Sequence, residues 1–167
     1  MRGQRRSGRR GRGGAPPSRL GWREWAGLPE LGVEAIKVKL DTGARTSSLH
    51  AFDMVRYAEG GRSMVRFEIH PRQRSAAGAV MVEAEVIDER WVRNSGGTRE
   101  LRPVIETDVL IGGERWPIEL TLTRRDEMGF RMLLGRQGLR GRAVVDPGSS
   151  YRAGKRPGPQ GPSEGAD

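Results

Sequence analysis

Short apolar runs, separated by Gly, Pro and Asn, make up most of the chain between residues 20 and 151. Few of them are long enough to form a periodic amphipathic helix, so the pattern favours strands. We therefore predict an all-β domain with strands at residues 35–40, 64–69, 80–87, 101–111, 115–122 and 131–134. A short helical turn is expected at residues 137–140, before a last strand near 143–145.

Glycines indicate where these strands reverse direction. Ile111-Gly112-Gly113-Glu114 is predicted to be a tight hairpin, because Gly readily adopts the positive φ that such turns require. Residues 64–70 and 80–87 enclose residues 72–78 as a second hairpin, which would either cover a cleft or extend a dimer. Its composition does not favour one role over the other.

Large aromatic residues are scarce, with four Trp, two Tyr and three Phe, so the core must rely on Val, Ile, Leu and Met. A buried subunit interface would add stability to a domain with a core of this modest size. Trp is large and mostly apolar, so the four tryptophans are predicted to be packing groups: Trp22, Trp25, Trp91 and Trp116.

The formal net charge of +9 is unevenly distributed. Residues 1–19 hold seven Arg and no acid, whereas residues 20–151 hold 20 basic and 19 acidic groups. The first segment is rich in Arg and Gly, and residues 152–167 are rich in Pro and Gly. We predict that both are disordered tails around a domain at 20–151. The N-terminal tail fits RNA binding through phosphate attraction and stacking, and fits a solvated extension without function equally well.

Some classes of protein are disfavoured by what the chain lacks. It contains no secretory apolar stretch and no run close to the roughly 20 residues that span a bilayer. It also contains no Cys, and therefore neither a disulfide nor a thiolate metal ligand. We expect a cytoplasmic protein that does not contact membranes.

One candidate for catalysis follows the first predicted strand, where Asp41-Thr42-Gly43-Ala44 places a carboxylate on a tight turn. Two carboxylates held about 3 Å apart cannot both ionise, so one keeps its proton while the other accepts one. Such a pair activates a water for attack on a peptide carbonyl. The sequence has one such turn, so a second copy must come from another subunit. The alternative interpretation is an ordinary Asp-Gly turn that ends a strand.

A second motif strengthens the catalytic interpretation. Met132-Leu133-Leu134-Gly135-Arg136 is an apolar strand that ends in Gly-Arg, and together with Asp41-Thr42-Gly43-Ala44 it resembles the paired signature of retropepsin-like aspartic proteases. The resemblance implies a closed β-barrel subunit with a short C-terminal helix, in which the Gly-Arg strand packs beside the catalytic loop and the subunit dimerises. It also implies a flap at Arg93-Asn94-Ser95-Gly96-Gly97, although an ordinary hairpin loop explains those residues too.

Further matches narrow the resemblance to one family. They are Gly21-Trp22-Arg23-Glu24-Trp25, Lys39 to Ser47, Arg102-Pro103-Val104-Ile105, Leu120-Thr121-Leu122, Arg125-Asp126 and the Gly-Arg strand. In this order they resemble the RimB-like bacterial family formerly named ATP-dependent zinc proteases, which is associated with RimK-type ATP-grasp glutamate ligases. The resemblance implies an endopeptidase that trims the glutamate chains added by such a ligase. It implies Asp41, Thr42 and Gly43 as catalytic residues and Ala44, Arg45, Asn94, Ser95, Gly96 and Gly97 as substrate-binding residues.

The family's former name does not fit the residues of this chain. Its two histidines, His50 and His70, form no His-Glu-x-x-His helix, and we expect both to be surface or strand-end residues. Gly135-Arg136-Gln137-Gly138 lacks the Gly-Lys-Ser/Thr of a phosphate loop. We therefore expect neither zinc nor ATP as a cofactor.

Position 45 departs from viral retropepsins, which usually carry Asp where this chain has Arg. A guanidinium offers paired donors suited to carboxylates, so Arg45, together with Arg90, Arg93, Arg99 and Arg102 on either side of the suspected flap, predicts an acidic peptide substrate. The alternative is that Arg45 pairs with a structural acid such as Asp126 and that the other arginines form a solvated face.

Two functions are consistent with these residues. The favoured one is a homodimeric aspartic endopeptidase in which each chain contributes Asp41. The alternative is a retropepsin-like binding protein without turnover, held on RNA or ribosomes by its Arg/Gly-rich tail.

Overall fold

The structure is a computed structural model that describes residues 16–72, 75–94, 96–124 and 129–156. Within these ranges the chain forms eleven strands, a 3-10 turn at Pro29–Leu31 and one short helix, α1, at Arg136–Leu139. The strands are β1 (Ser18–Leu28), β2 (Val33–Leu40), β3 (Ser47–His50), β4 (Phe52–Glu59), β5 (Arg62–Ile69), β6 (Val80–Glu85), β7 (Asp88–Arg93), β8 (Arg99–Ile111), β9 (Glu114–Thr123), β10 (Met132–Leu134) and β11 (Ala143–Ser150).

Six of the strands close into a barrel. Neighbours pair in the order β1, β2, β10, β3, β9 and β8, and β8 returns to β1 where Gly27 pairs with Leu110. Outside this ring, β11 pairs with β1 in parallel, and β7 pairs with β8 in antiparallel orientation. The closed barrel and the short helix near the C-terminus confirm the predicted fold class.

Buried and half-buried side chains alternate along β2, and this pattern explains how the barrel positions the Asp41 turn. Ile36, Val38 and Leu40 are at most 4% exposed, whereas Lys37 and Lys39 between them are half-buried. Successive side chains of a strand point to opposite faces, so one face of β2 lies in the core. Burying each of these aliphatic side chains contributes about 1.5–3 kcal/mol. Asp41 follows directly after this anchored strand.

A second sheet, β4–β5–β6, packs against the barrel. Val65, Phe67 and Ile69 of β5 are fully buried and belong to the same apolar core as the barrel strands. Strands β5 and β6 are antiparallel partners, which confirms the predicted second hairpin. Residues 73–74, within its connecting segment, lie outside the described residues.

All the predicted strands occur in the structure, with ends shifted by a few residues. The predicted hairpin is also confirmed, because Ile111 pairs with Glu114 and the two intervening glycines have φ values of +60° and +84°. The last strand is longer than predicted and continues to Ser150.

Four strands, β1, β3, β4 and β7, are not predicted by the apolar runs. The first buries a charged side chain, Glu24, and β3 buries Ser47, Ser48 and His50 in a four-residue strand. The other two, β4 and β7, expose most of their residues to solvent. Hydrophobic periodicity is a weak signal for such segments, because partners elsewhere in the chain hold them in place.

The first strand begins before the predicted domain boundary, because Ser18 and Arg19 pair with Ala143 and Val144. The remainder of the predicted N-terminal tail, residues 1–15, and residues 157–167 lie outside the described residues. No helix in the described part of the chain is long and apolar enough to cross a membrane.

Candidate active site

The Asp41 turn is held by hydrogen bonds at each end. The Asp41 N–H donates to the carbonyl oxygen of Leu134 at 2.8 Å, which ties the turn to β10. The Gly43 N–H donates to Asp41 Oδ1 at 2.9 Å, and the Ala44 N–H donates to the Asp41 carbonyl oxygen at 3.2 Å. The Asp41 side chain is partly exposed, so its carboxylate is oriented by the turn and still reaches solvent.

The Gly-Arg strand packs directly beside this turn. Strand β10 lies between β2 and β3, with Leu134 in register with Leu40. A Cβ on Gly135 would collide with the carbonyl oxygen of Thr46 and lie 2.9 Å from that of Ala44, so only Gly fits there. The Gly135 N–H also donates to Ser47 Oγ at 3.1 Å. The expected contact between the two sequence motifs is therefore present.

An open groove of about 690 Å³ begins at the turn. Its walls come from the loop after Asp41, from β7 and from the barrel, and the lining residues include Ala44, Arg45, Arg90, Trp91, Arg93 and Arg102. A second groove of about 420 Å³ adjoins it and shares Thr46, Arg90, Glu119 and Gln137. The first groove is lined by Ala44 and Arg45, which directly follow Asp41-Thr42-Gly43, whereas those three residues are not among the lining residues of either groove.

Comparison with known families agrees with this geometry. A family model described as the retropepsin-like aspartic endopeptidase RimB matches residues 19–156. The chain belongs to the RimB-like family. The resemblance inferred from the sequence motifs is thereby confirmed, and the mixed sheet with one short helix fits that family.

Several proteins resemble this RimB-like chain over most of its described length. A protein of Parasynechococcus marenigrum (strain WH8102), named probable alpha-L-glutamate ligase, is 47% identical over 135 residues. A protein of Shewanella pealeana (strain ATCC 700345 / ANG-SQ1) with the same name is 44% identical over 137 residues. These matches cover 81% and 82% of this chain, but the chain spans only 29% and 30% of the length of those relatives.

A solved structure shares the fold. The crystal structure of protein Lpg0085, of unknown function, from Legionella pneumophila subsp. pneumophila str. Philadelphia 1 superposes with a TM-score of 0.68 at 26% sequence identity. The match covers 81% of this chain and 98% of the Legionella protein. The barrel and its added sheet are therefore also found as a nearly complete chain of their own.

The arginines around the groove of this RimB-like domain differ in their partners. Arg90 donates to Glu119 at 2.7 Å and to Asp88 at 3.0 Å, and the hydrogen bond to Glu119 raises the pKa of its guanidinium. Arg102 is 2% exposed and donates to Glu100 at 3.3 Å. Both are thus paired with carboxylates of the protein itself.

Arg45 and Arg93 are the exposed arginines of the groove. Within the described ranges neither forms an ion pair at 4.0 Å or less. The alternative partner for Arg45, Asp126, lies with Arg125 outside the described residues. Arg99 does not line the groove, but its guanidinium lies 5.3 Å from the centre of the ring of Trp91, which does.

Of the predicted flap residues, Arg93 ends β7 and lines the groove, whereas Asn94, Gly96 and Gly97 form the described part of the tip between β7 and β8. Asn94 is buried, and its Oδ1 accepts hydrogen bonds from the N–H groups of Gly96 at 3.0 Å and Thr98 at 3.1 Å. Gly97 has a φ of +81°, which favours Gly. Ser95 lies outside the described residues. The described tip residues do not line the groove next to Ala44 and Arg45, so their role in substrate binding stays a prediction.

Strand β7, rather than the glycine tip, forms one wall of the groove. This strand is not predicted from the sequence, and neither is its place in the groove. Trp91 is predicted to be a packing group, but it is 60% exposed and lines the groove. That prediction is wrong for Trp91, because β7 lies at the edge of the sheet. Trp116 fits it, being 4% exposed and donating from Nε1 to the Gly138 carbonyl oxygen at 2.8 Å.

The two histidines lie away from the Asp41 turn, at the ends of β3 and β5. Their rings stack on opposite sides of Phe52, with centroid distances of 4.0 Å for His50 and 3.7 Å for His70. His50 is buried, so it is a strand-end residue and not a surface residue. In the described part of the chain, no group of three or more His, Asp or Glu side chains is placed to hold a metal ion.

Proposed function

We propose that the chain is an aspartic endopeptidase that works as a homodimer, with Asp41 of each copy in one active site. The observation that carries this proposal is the Asp41 carboxylate at the end of a buried strand, oriented by the Gly43 N–H at 2.9 Å and followed by Ala44 and Arg45, which line an open groove. The family match supports the same reaction class.

The paired carboxylates would share one proton and bind a water between them. The ionised carboxylate accepts a proton from the water as its oxygen attacks the peptide carbonyl carbon. The protonated carboxylate gives its proton to the carbonyl oxygen, which forms a neutral tetrahedral intermediate. Collapse of the intermediate breaks the C–N bond: the first carboxylate gives its proton to the leaving nitrogen, and the second carboxylate takes a proton from one hydroxyl group of the intermediate, so the products are an amine and a carboxylic acid and the pair again shares one proton.

We propose an acidic, glutamate-rich peptide as the substrate class. Arg45 and Arg93 are exposed in the groove, and the described residues offer them no carboxylate partner, so a substrate carboxylate can take that place. Arg90 and Arg102 already have carboxylate partners, so we assign them to holding the groove wall. Of the five predicted arginines, we thus assign two to substrate binding and two to the groove wall, and the fifth, Arg99, contacts the Trp91 ring.

The relatives support a link to glutamate chemistry. Two of them are named probable alpha-L-glutamate ligase and are about three times as long as the matched region. We propose that this domain hydrolyses glutamate chains made by an ATP-grasp ligase, acting in the cytoplasm. The alternative, a binding protein held on RNA by its N-terminal tail, predicts no turnover at all.

Replacement of Asp41 by Asn tests the proposal, because the amide keeps the shape but accepts no proton. With a fluorogenic oligoglutamate peptide, we expect kcat/KM to fall at least about 1000-fold in Asp41→Asn. Sedimentation of the unmodified chain should show a dimer under the same conditions.

Asp53→Asn is the matched control, since Asp53 is an exposed aspartate on β4 in the second sheet. It should hydrolyse the peptide at the rate of the parent chain. Equal hydrolysis by Asp41→Asn and the parent chain would refute catalysis by Asp41. A tail-dependent, salt-sensitive RNA complex in a protein without peptidase activity would favour the binding alternative.

A further inference from the structure

The side chain of Arg136 reaches the outer side of the Asp41 turn. Its Nη1 donates to the carbonyl oxygen of Thr42 at 3.1 Å and to that of Gly43 at 3.2 Å. The backbone N–H of Arg136 donates to the Ala44 carbonyl oxygen at 2.8 Å. One residue therefore binds three consecutive carbonyl groups of the turn.

These contacts complement those made by Asp41 itself. The Gly43 and Ala44 N–H groups donate to the side chain and main chain of Asp41, so the donors of the turn face inward. The carbonyl groups of Thr42 and Gly43, by contrast, accept from the Arg136 side chain, and both residues are exposed. Without the guanidinium these two carbonyls would bind only water, and the turn would be held by its two internal hydrogen bonds and by the backbone bonds from Asp41 to Leu134 and from Arg136 to Ala44.

Arg136 is itself well anchored. It follows Gly135 and begins α1, where its carbonyl oxygen accepts a hydrogen bond from the Arg140 N–H at 2.9 Å. Its side chain forms no ion pair with the described residues. Residue 45, in the loop that follows Asp41, is Arg and so offers no carboxylate to pair with it. Among the described residues no carboxylate oxygen lies within 4.0 Å of the guanidinium nitrogens, so the guanidinium donates to carbonyl groups instead.

We propose that Arg136 is a positioning residue that fixes the direction of the Asp41 carboxylate by binding the carbonyl groups of Thr42 and Gly43. This rests on the proposed peptidase function. A positioning residue of this kind changes the chemical step more than substrate binding, because a small misplacement of a catalytic group lowers the rate about 100-fold while the groove is kept.

Two substitutions and one control test the role. Arg136→Gln removes the cation and is too short to reach both carbonyl groups, whereas Arg136→Lys keeps a cationic donor of similar length. Arg142→Gln removes the same charge from an exposed arginine outside the groove. For each variant, kcat and KM are measured with an oligoglutamate peptide, together with the thermal unfolding midpoint.

We expect Arg136→Gln to lower kcat by about 10–100-fold while KM stays within about threefold. The fall in kcat should be smaller for Arg136→Lys than for Arg136→Gln. Arg142→Gln should have the kcat and KM of the parent chain. A purely structural role is recognised by a loss of folded protein, with kcat per folded molecule unchanged, and that result would overturn the proposal. So would a higher KM at unchanged kcat.

Amide hydrogen exchange tests the same proposal without any peptidase assay. In Arg136→Gln, exchange of the Gly43 and Ala44 amides should be about tenfold faster, while the amides of β2 keep their rates. Unchanged exchange at Gly43 and Ala44 would overturn the positioning role. If the parent chain hydrolyses no peptide, the proposed function fails, and the exchange rates still decide whether Arg136 holds the turn.

Discussion

Glu24 and Asp41 both accept hydrogen bonds from backbone N–H groups, but they lie in contrasting regions of the molecule. Glu24 in β1 is fully buried and accepts hydrogen bonds from the N–H groups of Gly21 at 2.7 Å, Arg152 at 3.0 Å and Ala153 at 2.9 Å. Asp41 is partly exposed, and among the described residues the Gly43 N–H is the one donor to its side chain. The first carboxylate is saturated, whereas the second keeps acceptor capacity for a water or a substrate.

The difference shows that hydrogen bonds from backbone N–H groups can stabilise a buried carboxylate or orient an exposed one. A buried charge is tolerated only when hydrogen bonds replace its hydration, and Glu24 meets this condition while joining β1 to the segment after β11. A catalytic carboxylate needs orientation without saturation, because it must exchange protons with other groups. The number of donors and the degree of burial therefore distinguish a structural acid from a candidate catalytic one.

Replacing Glu24 should cause the greatest loss of stability. In Glu24→Gln, one oxygen becomes an NH2 group that faces N–H donors, so buried donors lose their acceptor. We expect the free energy of unfolding to fall by about 3 kcal/mol and Tm by about 10 °C, measured by thermal and urea denaturation.

Glu34→Gln provides the control for that measurement, because Glu34 is an exposed glutamate on β2. It should change the free energy of unfolding by less than about 0.5 kcal/mol. If both variants were equally stable, the contrast between a saturated and an open carboxylate would lose its physical basis.

A smaller effect is expected beside Asp41, from Arg45→Ala. The groove would lose an exposed guanidinium, so we expect kcat/KM for an oligoglutamate peptide to fall about tenfold, equivalent to about 1.4 kcal/mol. For a neutral peptide of equal length, kcat/KM of Arg45→Ala should fall by less than about twofold. Arg62→Ala, an exposed arginine at the start of β5, is the matched control. Equal losses for the two peptides would remove Arg45 from substrate recognition.

The smallest predicted effect is the change in stability caused by Asp146→Asn. Asp146 also accepts a hydrogen bond from a backbone N–H group. The Gly148 N–H at 2.9 Å, and then the Ser149 hydroxyl, lower the pKa of the Asp146 carboxyl. A lowered folded-state pKa contributes stability above the unfolded value of about 3.9, and this contribution is lost as pH falls through the folded-state pKa. Asp146→Asn should therefore unfold at a lower midpoint than the parent at pH 7, and the difference should shrink below about pH 4. A difference independent of pH would show that the charge is not involved.

Local patterns predicted a large part of the fold. Alternating apolar residues predicted β2, and paired glycines predicted the β8–β9 hairpin, because both signals act within a few residues. Strand β7 was missed, since its Arg-rich, exposed sequence has no apolar face and its position depends on pairing with β8. As a result the predicted substrate-binding residues of this hairpin are those of the glycine tip, Asn94 to Gly97, whereas the residues of the hairpin that line the groove are Arg90 to Arg93.

The family, the strand periodicity of the barrel and the turn that presents Asp41 can all be read from the sequence, because they depend on short motifs and local backbone geometry. Which charged groups are paired depends instead on the tertiary structure. Glu24 meets its donor Arg152 across 128 residues, and Arg136 meets Thr42 across 94. Contacts at such separations form only once the barrel has closed, so no local pattern records which side chain is saturated and which is left open.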